Sequence, residues 1–445
     1  MKKIILIFIG IILSFDARAA MRIGLEDTVA KILAASQDIR KAELNVQKSE
    51  AVYRAARSGR LPQVNATASI MNNINLDGPG KARYVSIPNL PVIDNTGNEI
   101  GFVPTGIGGF RVPDNIGIAG VELVQPIYTF GRIGHGLDAA RSAIRIAESS
   151  AELARREMRV AAVQIYYGAK MAENIQKIMT ASLESTRRNQ RALTAGGGRA
   201  NKANLLRIST DIAIKESQVS EARFNYESAM RMLKIMADID DDVVVILSDE
   251  IPSAFIRAGD ARIESYPEWD IYQEAHNASR SAMKSKRADW LPTLAATASY
   301  NYFMLHTDMD VWNGTREQNA SVGLAIQIPI FDGGRARFQA TQDAREADRA
   351  MQDLDKAKKL RGNELTDAIE RHNFGIENMK IQTRALDLAR QTYSMSANRF
   401  ASGQTSAVEL SDVESSLVQL EIALLNTRVQ TAIAAENIRK LVGEK

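Results

Sequence analysis

The chain has 445 residues, 45% hydrophobic and 24% charged, with a formal net charge of +3. That length supports two or more domains around a large buried core, and the near-neutral charge gives no electrostatic reason to expect nucleic acid as a partner. Cysteine is absent and the four histidines (His135, His276, His306, His372) are scattered, which excludes disulfides, thiolate chemistry and a cysteine-linked lipid, and argues against a metal or other cofactor.

Lys2 and Lys3 precede a largely apolar run from Ile4 to Phe15, and Ala17 and Ala19 place small residues where signal peptidase reads. Residues 1–20 are expected to be a signal peptide, because so short a run does not span a bilayer, which needs about 20 apolar residues. No later stretch is long and apolar enough for a transmembrane helix. A membrane β-barrel stays open, since its alternating strands escape a hydropathy scan.

Beyond the signal the chain divides into a first structural repeat (21–238), a connecting segment (239–262) and a second repeat (263–445). Residues 127–251 and 330–445 contain no proline and are rich in Ala, Glu, Arg, Gln, Leu and Lys. Proline inside a helix costs about 3 kcal/mol, so these runs permit very long helices. The pattern predicts helices over about 134–195 and 200–238, and over about 335–402 and 405–442. At 1.5 Å per residue the 335–402 helix would be about 100 Å long. Glycine turns end the two longest, at Gly196-Gly197-Gly198 and at Gly403. Between Ile74 and Gly117 lie five of the eleven prolines, marking a long loop that should face the exterior together with 305–318. Asp240, Asp241 and Asp242 in the connecting segment lack the rest of a calcium-loop pattern.

An internal duplication organises all of this. RLPQVNATASI (60–70) matches WLPTLAATASY (290–300), and PIYTFGR (126–132) matches PIFDGGR (329–335). Pro62 and Pro292 thus mark two strand starts, and Pro126 and Pro329 two strand exits. Strands are predicted at about 61–73 and 118–130, and at about 291–304 and 319–331. They alternate with period two: Leu294, Ala296, Ala298, Tyr300 and Tyr302 share one face, Thr293, Thr297, Ser299 and Asn301 the other. The length suits tilted membrane strands, although a soluble sheet with one wet face shows the same alternation. Four strands do not close a membrane barrel, whose smallest forms need about eight. If they span a membrane, several chains must share one barrel.

The duplicated order, the Leu-Pro strand starts, the Pro-Ile…Gly-Arg strand exits and the Arg399-Phe400…Gly403 turn together resemble the TolC-like outer-membrane efflux proteins. The resemblance implies a mainly α protein with a membrane β-barrel: a homotrimer sharing one twelve-stranded barrel in outer-membrane lipid, continued by a long periplasmic α-helical barrel. It implies a passive duct, without enzyme activity, partnered by a periplasmic adaptor and an inner-membrane pump of RND, ABC or MFS type. The duct would pass drugs, other small molecules or proteins. It places the 239–262 segment in a belt around the tunnel. It also puts Glu409 and Asp412 at a periplasmic constriction, Phe400 where a gate aromatic sits, and Asn204 at the matching place in the first copy, with Gly198 and Gly403 in the tip turns. Acids in the first turn of a helix also favour its dipole, so capping stands as the rival role for Glu409 and Asp412. The rival function is a periplasmic coiled-coil adaptor or structural protein.

Overall fold

The structure is a computed structural model and describes residues 21–72, 90–93, 99–103, 115–195, 202–306 and 315–443. The proposed signal at 1–20, Gly198 and most of the 74–117 loop lie outside the described residues. In chain order the elements are β1 (Met21–Ile23), α1 (Leu25–Ala35), α2 (Gln37–Ser58), β2 (Gln63–Asn72), β3 (Leu90–Ile93), β4 (Glu99–Val103), β5 (Asn115–Tyr128), α3 (Arg132–Ala195) and α4 (Lys202–Met236). They continue as β6 (Val245–Leu247), α5 (Pro267–Ala288), β7 (Thr293–His306), β8 (Thr315–Gln327), α6 (Arg335–Ala401) and α7 (Ala407–Val442).

The two proline-free runs form α3 with α4 and α6 with α7, since nothing in them removes a helical hydrogen bond or forces a kink. The duplication is visible in the backbone bonding. Leu61 N donates to Ser58 O at 2.9 Å and Leu291 N to Ala288 O at 3.0 Å, closing α2 and α5 with the same tight turn. Pro62 and Pro292 follow, where the helix must stop, and β2 and β7 begin one residue later. At the exits the copies differ. Pro126 lies inside β5, where pairing with β7 shifts register between Pro126 and Tyr128, and such a bulge tolerates the missing N–H. Pro329 stands beyond the end of β8. Asp332 then caps α6, accepting from Gly334 N at 2.8 Å and Ala336 N at 2.9 Å. The Ala336 and Gly334 amides hold its carboxyl below the usual aspartate range.

The chain forms two compact units. One comprises Glu43–Ser150 and Glu268–Lys356 and contains a four-stranded antiparallel sheet of order β2-β5-β7-β8. The other comprises Met1–Ala42, Ala151–Pro267 and Ala357–Lys445. Its core gathers Val29 and Ile32 from α1, Tyr166 from α3, Leu233 from α4 and Val429 from α7 around the short parallel pair β1-β6. Leu25 N, at the start of α1, donates to Asp249 Oδ2 at 2.7 Å.

In that second unit, residues 247–258 are fastened to the long helices by polar side chains. Tyr166 Oη accepts from Asp249 N at 2.9 Å. Lys170, 2% exposed, donates to Leu247 O at 3.1 Å and meets Glu250 at 2.9 Å and Glu173 at 3.2 Å. Burial disfavours the Lys170 charge, yet these carboxylates hold its pKa above the ordinary lysine value. On α6, Asn373 exchanges two hydrogen bonds with the Ala258 backbone at 3.0 and 3.1 Å. Beside it, buried His372 contacts Ile256 O at 3.0 Å and Thr431 O at 3.2 Å.

Candidate functional site: a one-sided apolar sheet and an acidic turn

Residues directly opposite across an antiparallel pair lie on the same face. Val64, Leu123, Ala298 and Val322 form one such row across all four strands, and Ala66, Val121, Tyr300 and Ala320 the next. On the other face the rows read Asn65, Glu122, Ser299, Ser321 and Thr67, Gly120, Asn301, Asn319. Ser299 and Ser321 hydrogen-bond there at 2.8 Å. The alternation read strand by strand is therefore one apolar face and one polar face of a single sheet. The rows from Leu294 to Tyr300 are apolar but for Gln125, opposite Ala296, and span roughly 20 Å along the strand at about 3.3 Å per residue. Toward the loop end the separation fades, with Gln318 opposite Tyr302 and Arg316 opposite Met304.

Among the described residues nothing covers that face on β8: Val322, Leu324 and Ile326 are 88%, 71% and 66% exposed. A contiguous apolar face of this kind on a folded chain marks a membrane or partner surface. Among the described residues, the strands β2 and β8 each keep one unpaired edge. In lipid an open edge leaves backbone groups unsatisfied, so the sheet is incomplete as it stands. Among the described residues, no helix is long and apolar enough to cross a membrane.

The 402–406 turn is a glycine-terminated helix end followed at once by a capped start. Gly403, at φ +75°, lets Gln404 N reach Arg399 O at 2.8 Å while its own N–H bonds Phe400 O at 3.0 Å, the paired closure of a Schellman motif. Ser406 then caps α7, its hydroxyl accepting from Glu409 N at 3.2 Å. The Glu409 carboxylate in turn accepts from the Thr405 hydroxyl. Glu409 thus serves the cap, in the Ser-x-x-Glu spacing of a capping box, while remaining exposed. Asp412 is exposed too, three residues on. Phe400 is 3% exposed, packed with Ile208, Ala407 and Leu410. In the single chain it seats the turn against α4. Asn204 is half-buried in the first turn of α4.

Residue patterns alone passed over the polar core behind this turn. Glu414, buried, accepts from Ser182 at 3.0 Å and Thr186 at 3.1 Å and pairs with Lys215 at 2.8 Å. Asp211, also buried, pairs with Arg207 at 3.3 Å. A signal existed for Glu414: it interrupts the series Ala407, Leu410, Leu417 at a position where helical spacing calls for an apolar residue. Among the described residues no group of three or more His, Asp or Glu side chains is placed to hold a metal ion.

A duplicated chain of long helices whose strands build one sheet with an exposed apolar face has the architecture of an outer-membrane protein. The chain belongs to the outer membrane efflux protein family, matching it over residues 28–233 and 272–444. Family membership places it in the outer membrane of a Gram-negative cell. It is 20% identical over 312 residues to the alkaline protease secretion protein AprF of Pseudomonas aeruginosa, covering 67% of this chain and 64% of AprF. It is likewise 20% identical over 281 residues to the outer membrane efflux protein BepC of Brucella suis, covering 63% of this chain and 61% of BepC. These matches thus span just under two thirds of each relative's length. Its fold is that of the Campylobacter jejuni CmeC outer membrane channel, with a TM-score of 0.73 at 17% identity over 94% of this chain and 85% of that one.

Proposed function

We propose that this chain is one subunit of an exit duct through the outer membrane. Three copies would place their sheets edge to edge in one twelve-stranded barrel, and their long helices would continue it as a periplasmic tunnel. The observation that carries this reading is the apolar face running across all four strands, with β2 and β8 left open at the edges. Such a sheet is stable in lipid only if neighbouring copies close it. A second observation supports self-association. Phe374, Ile381, Leu388 and Met395 recur every seventh residue of α6 and are each more than half exposed. That is the spacing of a coiled-coil seam awaiting a partner helix. The runner-up, a periplasmic adaptor, leaves the apolar sheet face unexplained.

The duct would receive drugs, other small molecules or proteins from an inner-membrane pump of RND, ABC or MFS type through a periplasmic adaptor. At the periplasmic turn, Glu409 and Asp412 share one face of α7, so three copies would stack two acidic rings. Phe400 would hold that turn in place, with Asn204 and Gly198 contributing from the first copy. Acidic rings favour cations in a narrow pore. Purified protein in a planar bilayer should therefore form cation-selective channels that added divalent cations inhibit. The Glu409→Gln/Asp412→Asn variant should assemble normally and lose both properties. Unchanged selectivity would leave Glu409 as a helix-capping group only and Asp412 as a solvated acid.

A further inference from the structure

Two grooves in the described chain differ in their charge. One, in the helical unit, is lined by Lys177, Arg390 and Arg428 against Glu250, Asp387 and Glu421, and its charges balance. The other lies in the sheet unit, between the end of α5 and the first turns of α6, and occupies about 550 Å³. It is lined by Arg287, Arg337, Arg345, Trp290, Thr341 and three alanines, with no carboxylate among them. Arg345 also reaches Asp348, at 3.2 Å. Arg287 and Arg337 have no ion pair among the described residues.

Its place in the sequence of elements gives the charge a meaning. Trp290 lies just before β7, and Arg337 sits in the first turn of α6, shortly after β8 ends. The groove therefore adjoins the helix-side end of the β7-β8 pair, where the apolar rows finish at Leu294 and Ile326. Ile330 and Phe331, immediately after β8, are 91% and 85% exposed. Apolar and aromatic side chains followed by arginines form the order found where hydrocarbon gives way to headgroups.

We propose that this groove binds the phosphodiester headgroup of an anionic phospholipid in the periplasmic leaflet. Arg287 and Arg337 would hold the phosphate oxygens through charge-assisted hydrogen bonds, and Trp290 would lie against the glycerol and upper acyl chain. The proposal rests on the reading that β2, β5, β7 and β8 span the outer membrane. It adds a lipid preference to that reading, with one groove in each chain.

The test uses the assembled full chain in nanodiscs of phosphatidylethanolamine, with or without phosphatidylglycerol. Phosphatidylglycerol should raise the thermal midpoint of the wild-type protein and remain bound in native mass spectra. Arg287→Gln/Arg337→Gln/Arg345→Gln should lower its apparent affinity on the order of a hundredfold, and Arg337→Gln alone about fivefold. The triple lysine variant keeps the charge and should retain most of the effect, which separates lost binding from misfolding. Equal phosphatidylglycerol retention by wild type and the glutamine variant overturns the proposal. So does inorganic phosphate that reproduces the stabilisation, which would mark a free-phosphate site. Outer-membrane fractionation of the wild type separates the two levels: a chain absent from that fraction defeats the membrane reading itself, whereas one present but indifferent to phosphatidylglycerol defeats only the lipid site.

Discussion

The two copies of the repeat solve one backbone problem with different residues. After each Pro-Ile the chain must pass from strand into long helix through left-handed conformations. The second copy places Gly333 and Gly334 there, at φ +70° and +83°, while the first places Phe130 and Gly131, at φ +48° and +88°. The caps differ in the same way, with Thr129 at 3.5 Å from Ile133 N where Asp332 makes two shorter bonds. Left-handed backbone costs a non-glycine residue about 1–2 kcal/mol. The first copy carries that cost with the Phe130 ring edge-on to Tyr128, 4.6 Å between centroids. What repeats is a geometry rather than a set of side chains.

The largest expected effect lies in the helices that follow the two turns. Glu414 in α7 is held by residues of α3 and α4, whereas among the described residues Asp211 in α4 pairs within its own helix, with a half-exposed Arg207. Glu414→Ala leaves Lys215, whose side chain is 12% exposed, with the Thr186 hydroxyl but no carboxylate, and should cost about 3 kcal/mol. Asp211→Ala should cost no more than about 1 kcal/mol. Replacing Glu414 and Lys215 together by Met should recover most of the loss. Guanidinium unfolding of the detergent-folded protein measures all three, and equal losses at Glu414 and Asp211 would erase the distinction.

Next in size is a pair of mid-helix glycines. A Cβ on Gly375 would lie 2.1 Å from Thr431 Oγ1, whereas one on Gly168 would meet nothing within 4 Å. Gly375→Ala should therefore destabilise by about 1–3 kcal/mol through overpacking of α6 against α7. Gly168→Ala should stabilise by about 0.5–1 kcal/mol through helix propensity. The two signs should be opposite in the same unfolding experiment.

The turn residues come third. Gly333→Ala should cost about 1–2 kcal/mol. Phe130→Gly exchanges relief of a similar strain for a lost aromatic contact of about 0.5–1.5 kcal/mol, and should change stability little. A large loss at Phe130 would mean that the first copy depends on the ring more than on the backbone.

The smallest effect appears only in acid. Burial opposes the charge of Glu173 on α3 and Glu364 on α6. Hydrogen bonds from Lys177 and Lys170, and from Lys440 and Arg361, nonetheless hold both carboxyls below the ordinary glutamate value. A carboxyl lowered in the folded state stabilises fully above its unfolded pKa, about 4.3, and loses that contribution as pH falls through the folded value. The thermal midpoint should be flat from pH 7 to 5 with respect to these groups and decline below about pH 4. Glu173→Gln and Glu364→Gln should each flatten that decline.

Much of the fold was legible because its signals are local. An absence of proline permits long helices, alternation marks strands, and a repeated Leu-Pro or Pro-Ile fixes where they meet. The elements that sequence reading passed over are held by distant partners. The pair β1-β6 is three residues long on each side and joins Met21 to Val245, with no alternation long enough to notice. The hairpin β3-β4 lies inside a loop whose prolines argued against regular structure. Glu414 interrupts an apolar series, but nothing local shows that Ser182, Thr186 and Lys215 of α3 and α4 are its partners. At the turn, Glu409 could be read from its position in the first helical turn, but its bond to Thr405 could not. Phe400 could be placed near the turn, but not the direction in which its ring packs.

The central claim is that the four-stranded sheet is one third of a membrane barrel. Its most direct test is the mass of the folded particle extracted from outer membranes in mild detergent, measured by light scattering with the detergent subtracted. The account expects three chains per particle, resistant to SDS until heated and collapsing to single chains when the β2 or β8 edge carries a proline. A folded, membrane-inserted particle of one chain would contradict it.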